Sequence, residues 1–189
     1  MRALLFAGGR SKRMGRDKAL LEVEGIPCIA RVTSALVEAG CEPIRIAVAQ
    51  PEDVERYGAV LPAGADVEWV LDSIPHAGPI EAMVEALSDP LVGEVESIQL
   101  CPVDVPWITA ELFLELEKTL GSDDLLAIPA DPRRTHPLLA RVRPTLASAI
   151  GEDRRPLHVQ FAELEHSTLL ADPLILRNVN TPADLSDSD

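Results

Sequence analysis

Aromatic residues make up 3% of this 189-residue chain, and lysine is scarcer still, with Lys12, Lys18 and Lys118 the whole complement. Cysteine is limited to Cys28, Cys41 and Cys101, widely spaced and without a Cys-x-x-Cys pair. That spacing speaks against both a disulfide framework and a zinc site, and leaves all three as small core residues. No apolar run approaches the roughly 18 residues of a membrane span. The opening Met1-Arg2-Ala3-Leu4-Leu5-Phe6-Ala7 has too short an apolar stretch for a signal peptide and runs into Gly8-Gly9-Arg10 rather than a cleavage site. A cytoplasmic protein without membrane attachment is expected. Positive charge is short as well: 17 Lys and Arg face 31 Asp and Glu, a formal charge of −14. Such a field repels polyanions and argues against a nucleic-acid partner.

What the chain does have is a regular alternation of patterns. At 47% hydrophobic it can fill one core, and its length suits a single domain spanning 1–189. Strand-like runs fall at 3–6, 44–49, 67–71, 97–101 and 125–129, and helix-like spacing at 26–39, 80–87 and 110–120. Gly40 is expected to stop the first helix, while Thr109 and Gly121 bracket the third as cap and stop. This alternation predicts an α/β fold, a mostly parallel central sheet with helices on both faces. Ligands of such sheets bind beyond the carboxyl ends of the strands. Loops 8–18, 72–79 and 102–107 each follow a predicted strand, so they are expected to meet at that edge. Residues 137–142, 144–150 and 156–164 break the alternation.

The few cations are unevenly spread. Six of the 17 Lys and Arg fall within the first 18 residues, around Gly8-Gly9-Arg10-Ser11-Lys12-Arg13-Met14-Gly15-Arg16-Asp17-Lys18. Adjacent glycines let backbone N–H groups approach a ligand, and successive N–H groups in a turn form an anion-binding concavity. A strand, a glycine turn and a basic loop together point to a nucleotide triphosphate site. Five residues separate Gly9 from Gly15 and Arg16 follows, so this is not a Walker A loop, nor is a Gly-x-Gly-x-x-Gly fingerprint present. The rival reading is an ordinary glycine-rich turn with solvated Arg and Lys.

The same residues carry a family likeness. Phe6-Ala7-Gly8-Gly9-Arg10-Ser11-Lys12-Arg13-Met14-Gly15-Arg16-Asp17-Lys18-Ala19-Leu20-Leu21 resembles the opening motif of the molybdenum cofactor guanylyltransferases, relatives of nucleotidyltransferases that activate sugars and isoprenoid precursors. Asp72-Ser73, Gly78-Pro79-Ile80, Cys101-Pro102-Val103-Asp104-Val105-Pro106, His136-Pro137, Arg154-Arg155 and Asn178-Val179-Asn180-Thr181-Pro182 follow in that family's order, so the resemblance spans nearly the whole chain. It implies a Rossmann-like nucleotidyltransferase fold with a nucleotide-binding part at 1–107 and an acceptor-side part at 108–189. It further implies Mg²⁺-dependent transfer of GMP from GTP to the terminal phosphate of a molybdopterin-type cofactor, with release of pyrophosphate. Proteins that deliver this cofactor or associate with molybdoenzymes are the candidate partners. The second glycine of the pair and Gly78-Pro79 favour the guanylyl over the cytidylyl branch, whereas Ala47-Val48-Ala49-Gln50 lacks an asparagine the family often uses. Three other readings stay open: a cytidylyltransferase for the same cofactor, a transferase for another phosphorylated metabolite, and a GTP-binding subunit without turnover.

Nucleotidyl transfer brings two anions together, and the acceptor phosphate is already ionised. The site therefore needs positioning and positive charge rather than a Ser, Cys or His nucleophile. Lys18 suits point contact with phosphate oxygens, and the Arg13 fork can span two of them. Asp104 ends a strand between two prolines, and one carboxylate suffices for Mg²⁺, which fills its shell with water and phosphate oxygens; the rival role is a turn or cap. By resemblance, Phe6, Ala7, Gly8 and Gly9 hold the nucleotide position, through backbone contacts that the change from the family's leucine to Phe6 should not disturb. Asp72 matches a ribose- or base-contacting carboxylate. Asn178 and Asn180 flank Val179, so an extended segment sends both amides to one face, towards ligand or metal-bound water; turn stabilisation is the equal alternative. Thr181, Pro182 and Asp184 read as N-cap, first helical residue and first-turn acid. His136 is expected to order a turn rather than act as a base, and Arg154-Arg155 either receives the acceptor phosphate or decorates an acidic surface.

Overall fold

The structure is a computed structural model that describes residues 2–8, 17–72, 78–92, 95–180 and 184. The chain runs through β1 (Ala3–Phe6), β2 (Glu22–Val23), β3 (Ile26–Pro27), α1 (Cys28–Glu38), β4 (Ile44–Val48), α2 (Pro51–Gly58), β5 (Val67–Leu71) and α3 (Pro79–Leu87). It continues through β6 (Ile98–Pro102), α4 (Ala110–Thr119), β7 (Leu126–Ala130), β8 (Arg141–Val142), α5 (Leu146–Ile150), α6 (Leu157–Ala162) and β9 (His166–Leu170). Seven strands form one sheet in the order β5-β4-β1-β6-β8-β7-β9, and β2 and β3 form a separate hairpin. In the seven-stranded sheet β8 runs antiparallel to both its neighbours; the other pairings are parallel.

Side chains alternate across a strand, and this splits the core into two layers. On one face Leu5, Ile44 and Ile46 pack with Ile29 and Leu36 of α1, Tyr57 of α2 and Phe113 of α4. On the other, Leu4, Ile98 and Leu100 pack with Met83 of α3, Ile150 of α5 and Phe161 of α6. The expected helices on both faces are present. Burying one Leu or Ile contributes roughly 1.5–3 kcal/mol, so aliphatic residues sustain both layers in a chain so poor in aromatics. Cys28, Cys41 and Cys101 are buried and free, and burial pushes the Cys28 thiol up to about 11. No helix among the described residues is long and apolar enough to cross a membrane.

Several elements differ from the expectation. The first helix starts at Cys28 rather than 26, because Glu24 and Gly25 both adopt positive φ, 53° and 77°, in a tight turn that pairs Val23 with Ile26. It stops as expected at Gly40: the Gly40 and Cys41 N–H groups close on the Val37 and Leu36 carbonyls, each at 2.9 Å, which is the Schellman pattern. Thr109 precedes α4, but its hydroxyl makes no capping hydrogen bond, and the N–H of Gly121 goes to the Asp124 carboxylate at 2.9 Å. Helix α2 and strand β9 were not expected. The irregular stretch 137–164 resolves into a 3₁₀ turn at Pro137–Leu139, then β8, α5 and α6.

Candidate active site

The chain leaves β1 towards β4 and β5, then returns to β6 on the other side of β1. A sheet of this kind opens a crevice at such a reversal, outside the carboxyl ends of its strands. The ladder runs one residue past each strand: the Ala7 N–H donates to Ala47 O at 2.9 Å, Asp72 N–H to Val48 O at 3.0 Å, and Val103 N–H to Phe6 O at 3.2 Å. Phe6, Ala7, Gly8, Asp72 and Asp104 thereby reach one edge, around a cavity of about 660 Å³ that Lys18 and Asn178 also line. A Cβ at Gly8 would lie 2.5 Å from Asp72 Oδ2, turning that carboxylate aside, and would crowd the Ala49 nitrogen at 3.3 Å.

At the centre, Lys18 Nζ donates to Asp104 Oδ2 at 3.0 Å and to Asn180 Oδ1 at 2.8 Å. Asn178 Nδ2 donates to the second Asp104 oxygen at 3.2 Å, and the Val179 N–H to the Asp104 carbonyl at 2.8 Å. The Asn-Val-Asn segment is therefore pinned to the Asp104 loop by its backbone, with both amides turned to the same ion pair. Val179 itself points into a small cluster with Leu21, Val23 and Cys28, against which Trp107 packs. The Arg177 guanidinium lies 4.1 Å from the centre of the Trp107 ring, a cation–π contact that steadies this segment. Asn180 N–H donates to Asp184 at 2.7 Å.

These donors bear on a metal. Among the described residues no three His, Cys, Asp or Glu side chains gather as a protein-only centre. The Asp104 carboxylate, with the Asn180 amide oxygen beside it across Lys18, is a hard-oxygen set, which fits Mg²⁺ completed by water and phosphate oxygens.

Beyond β7 the chain turns tightly. The Asp131 carboxylate accepts the Arg133 and Arg134 N–H groups at 2.7 and 3.1 Å and faces His136 Nε2 at 2.9 Å. The His136 contact, then the Arg133 N–H, hold the Asp131 carboxyl down at about 2. His136 is thus buried in a turn, as its sequence context suggests. The turn carries Arg134 to the cavity, its Nη2 at 3.5 Å from Asn178 Oδ1. A second cavity, about 920 Å³, adjoins the first along Gly78, Arg134 and Pro137, with Arg154 and His158 on its far side.

The family model of the MobA-like NTP transferase domain matches residues 3–163. The chain belongs to the MobA-like NTP transferase family. It is a nucleotidyltransferase, and its sheet is the one such enzymes share. A protein of Synechococcus elongatus named probable molybdenum cofactor guanylyltransferase is 32% identical, covering 96% of this chain and 94% of its own. One of the same name from Rhodopirellula baltica is 29% identical over 96% and 88%. The crystal structure of molybdopterin-guanine dinucleotide biosynthesis protein A from Archaeoglobus fulgidus superposes with a TM-score of 0.74 at 20% identity, covering 98% of this chain and 95% of that one.

For this transferase the structure brings Lys18, Asp104, Asn178 and Asn180 into direct contact, with Phe6, Ala7, Gly8 and Asp72 on the same cavity. Arg13, Gly9, Thr181 and Pro182 lie outside the described residues. Arg154 reaches Glu81 of α3, with Nη2 at 3.1 Å from Oε2, and Arg155 is clasped by Asp153 and Glu163 at 2.7 Å each. The pair therefore splits: Arg154 lines the second cavity and Arg155 braces the surface. Arg134 was not singled out beforehand; a basic pair just ahead of His136-Pro137 was its only signal.

Proposed function

We propose that this nucleotidyltransferase joins GMP from GTP to the terminal phosphate of a molybdopterin-type cofactor and releases pyrophosphate. The observation that carries the reading is the Lys18 ammonium 3.0 Å from the Asp104 carboxylate, at the carboxyl edge where parallel sheets bind ligands. GTP and the acceptor are supported by the names of the relatives. The nucleotide lies against residues 1–107 and the acceptor against 108–189 of one domain.

In the transfer, an acceptor phosphate oxygen bonds to the α-phosphorus of GTP as the bond from that phosphorus to the bridging β-oxygen breaks. Pyrophosphate leaves with the electron pair. Repulsion between the anions is the obstacle, and Lys18 and Arg13 supply positive charge against it. Lys18 shares its hydrogen bonds between Asp104 and Asn180, so its ammonium turns to phosphate oxygens over a short distance. Guanine presents N1–H and N2–H₂ donors beside O6, a pattern that one backbone carbonyl and one N–H of the segment Phe6-Ala7-Gly8-Gly9 can read. The Asp72 carboxylate, seated over Gly8, takes the ribose or base. Asp104, with the Asn178 and Asn180 amides nearby, would hold Mg²⁺, which when bound would supply charge neutralisation on the phosphates and the leaving pyrophosphate. The acceptor enters along the second cavity, past Arg134 and Arg154. His136 Nε2 faces the Asp131 carboxylate at 2.9 Å, so it braces that turn rather than serving the transfer.

The test is pyrophosphate release from ATP, GTP, CTP and UTP, each with Mg²⁺ and purified pterin cofactor. Release from GTP alone, and only with the acceptor, is the expected result. Preference for CTP would replace the base assignment, for which the amide-free end of β4 at Ala47-Val48-Ala49 leaves room. GTP binding without release would indicate a subunit that does not turn over.

A further inference from the structure

Tyr57 is the chain's single tyrosine, and it is 3% exposed. A buried hydroxyl requires a partner, and this one donates to Asp17 Oδ2 at 2.9 Å. Burial first, then the hydrogen bond to Asp17, pushes the phenol well above its ordinary range, so it remains a donor at any working pH. The same Asp17 oxygen accepts Arg56 Nη2 at 3.0 Å, while Arg56 Nη1 holds Asp53 at 2.8 Å. The other Asp17 oxygen accepts the Ala19 N–H at 3.0 Å, closing a turn around Lys18. Helix α1 grips the segment from the far side: the Ile29 N–H donates to the Ala19 carbonyl at 2.9 Å and the Cys28 N–H to the Leu21 carbonyl at 2.8 Å. The backbone on both flanks of Lys18 is thus tied to two helices, and only its side chain crosses to Asp104 and Asn180.

Asp17 lines the cavity, whereas Tyr57 and Arg56 do not; whatever they do for a ligand passes through Asp17. The two braces are unequal. Arg56 is half-exposed, and an exposed ion pair is screened and weak, whereas the Tyr57 hydroxyl reaches the partly buried Asp17 carboxylate from the buried side, where such bonds are stronger.

We propose that Tyr57 is a positioning residue: through Asp17 it fixes the Lys18 backbone so that the ammonium meets the triphosphate of the bound nucleotide. The proposal rests on the reading of Lys18 as the phosphate-contacting cation. Without the hydroxyl, Asp17 keeps only Arg56 on that oxygen among the described residues and can swing with it, and the Lys18 ammonium sweeps a wider arc. The family motif marks Asp17 and Lys18 by position, but α2 brings its partner from 40 residues away.

A four-protein cycle tests this: wild type, Tyr57→Phe, Lys18→Met and the double variant, each titrated calorimetrically with GTP and Mg²⁺ and each melted thermally. Phe keeps the ring in the core, and the melts check that the fold survives. Tyr57→Phe is expected to weaken nucleotide binding about tenfold when Lys18 is intact and less than about twofold in the Lys18→Met background, the signature of two residues acting as one. Loss of the same size in both backgrounds, or none in the first, overturns the positioning role while leaving Lys18 in place. Unchanged binding in Lys18→Met overturns both this proposal and the function it rests on. Asp17→Asn, which keeps the shape but weakens the bonds it accepts from Tyr57 and Arg56, must reproduce the Tyr57→Phe pattern; if it binds nucleotide like wild type, the route through Asp17 is wrong.

Discussion

The two ends of the sheet are assembled by different means. Strands β5, β4, β1 and β6 run parallel, each followed by a loop at the same edge, and they deliver Gly8, Asp72 and Asp104 by repetition of one strand–loop–helix unit. The other end interposes the antiparallel β8 between β6 and β7 and closes with β9. It delivers Arg134, Asn178 and Asn180 through turns whose shape depends on individual hydrogen bonds, such as Asp131 to the Arg133 N–H. In the first region a pattern makes position nearly automatic; in the second, position is set bond by bond. Lys18 touches both, bonding Asp104 on one side and Asn180 on the other.

That contrast predicts unequal responses. Lys18→Met removes the ammonium shared by the two regions, and turnover is expected to fall roughly 10²–10³-fold, the usual cost of losing one preorganised charge-stabilising donor. The side chain is only partly buried, so thermal melting should move by only a few degrees, about 1 kcal/mol of stability. Steady-state rates beside melting curves decide it, and a rate loss matched by unfolding would erase the distinction between chemistry and scaffold.

A smaller effect is expected in the turn region. The Asp131 carboxyl is held at about 2, chiefly by His136 and then by the Arg133 N–H, against an unfolded value of about 3.9. A lowered folded value means that its contribution is fully present above the unfolded pKa and is lost as pH falls through the folded one. Wild type should therefore shed stability between about pH 4 and pH 2 that Asp131→Asn does not have to lose. Melting temperature against pH for the two proteins is the check; curves that stay parallel through that window would contradict it.

The same contrast explains what the amino-acid sequence discloses. The continuous apolar run 3–6 and the stretch 67–71, apolar but for Glu68, make β1 and β5 legible to the residue, while β6 and β7 begin one residue later than their runs suggest. Helix α2 has no apolar stripe, since its buried residues are Asp53 and Tyr57; the one clear signal is Pro51 at its start followed by Glu52 and Asp53. Strand β8 is two residues long, too short for an alternating period to register. The first residues of β9, His166 and Ser167, are polar and half-buried on a sheet edge, so they read as loop. For the site, Lys18 and Asp104 are legible by residue type and by their place after a strand. Their contact across 86 positions is not, because it follows from the register that pairs Phe6 with Pro102. Tyr57 is silent in the sequence for a related reason: its role depends on one hydroxyl meeting Asp17 through the tertiary fold.

The central claim is that Asp104 holds a divalent ion together with the nucleotide triphosphate where the two regions meet. Its most direct measurement is the water-proton relaxation of Mn²⁺ titrated with GTP into wild type and into Asp104→Asn. Wild type should enhance relaxation strongly once GTP is added, while the Asn variant should leave the signal near that of Mn²⁺ and GTP without protein. Equal enhancement by the two proteins would contradict the account.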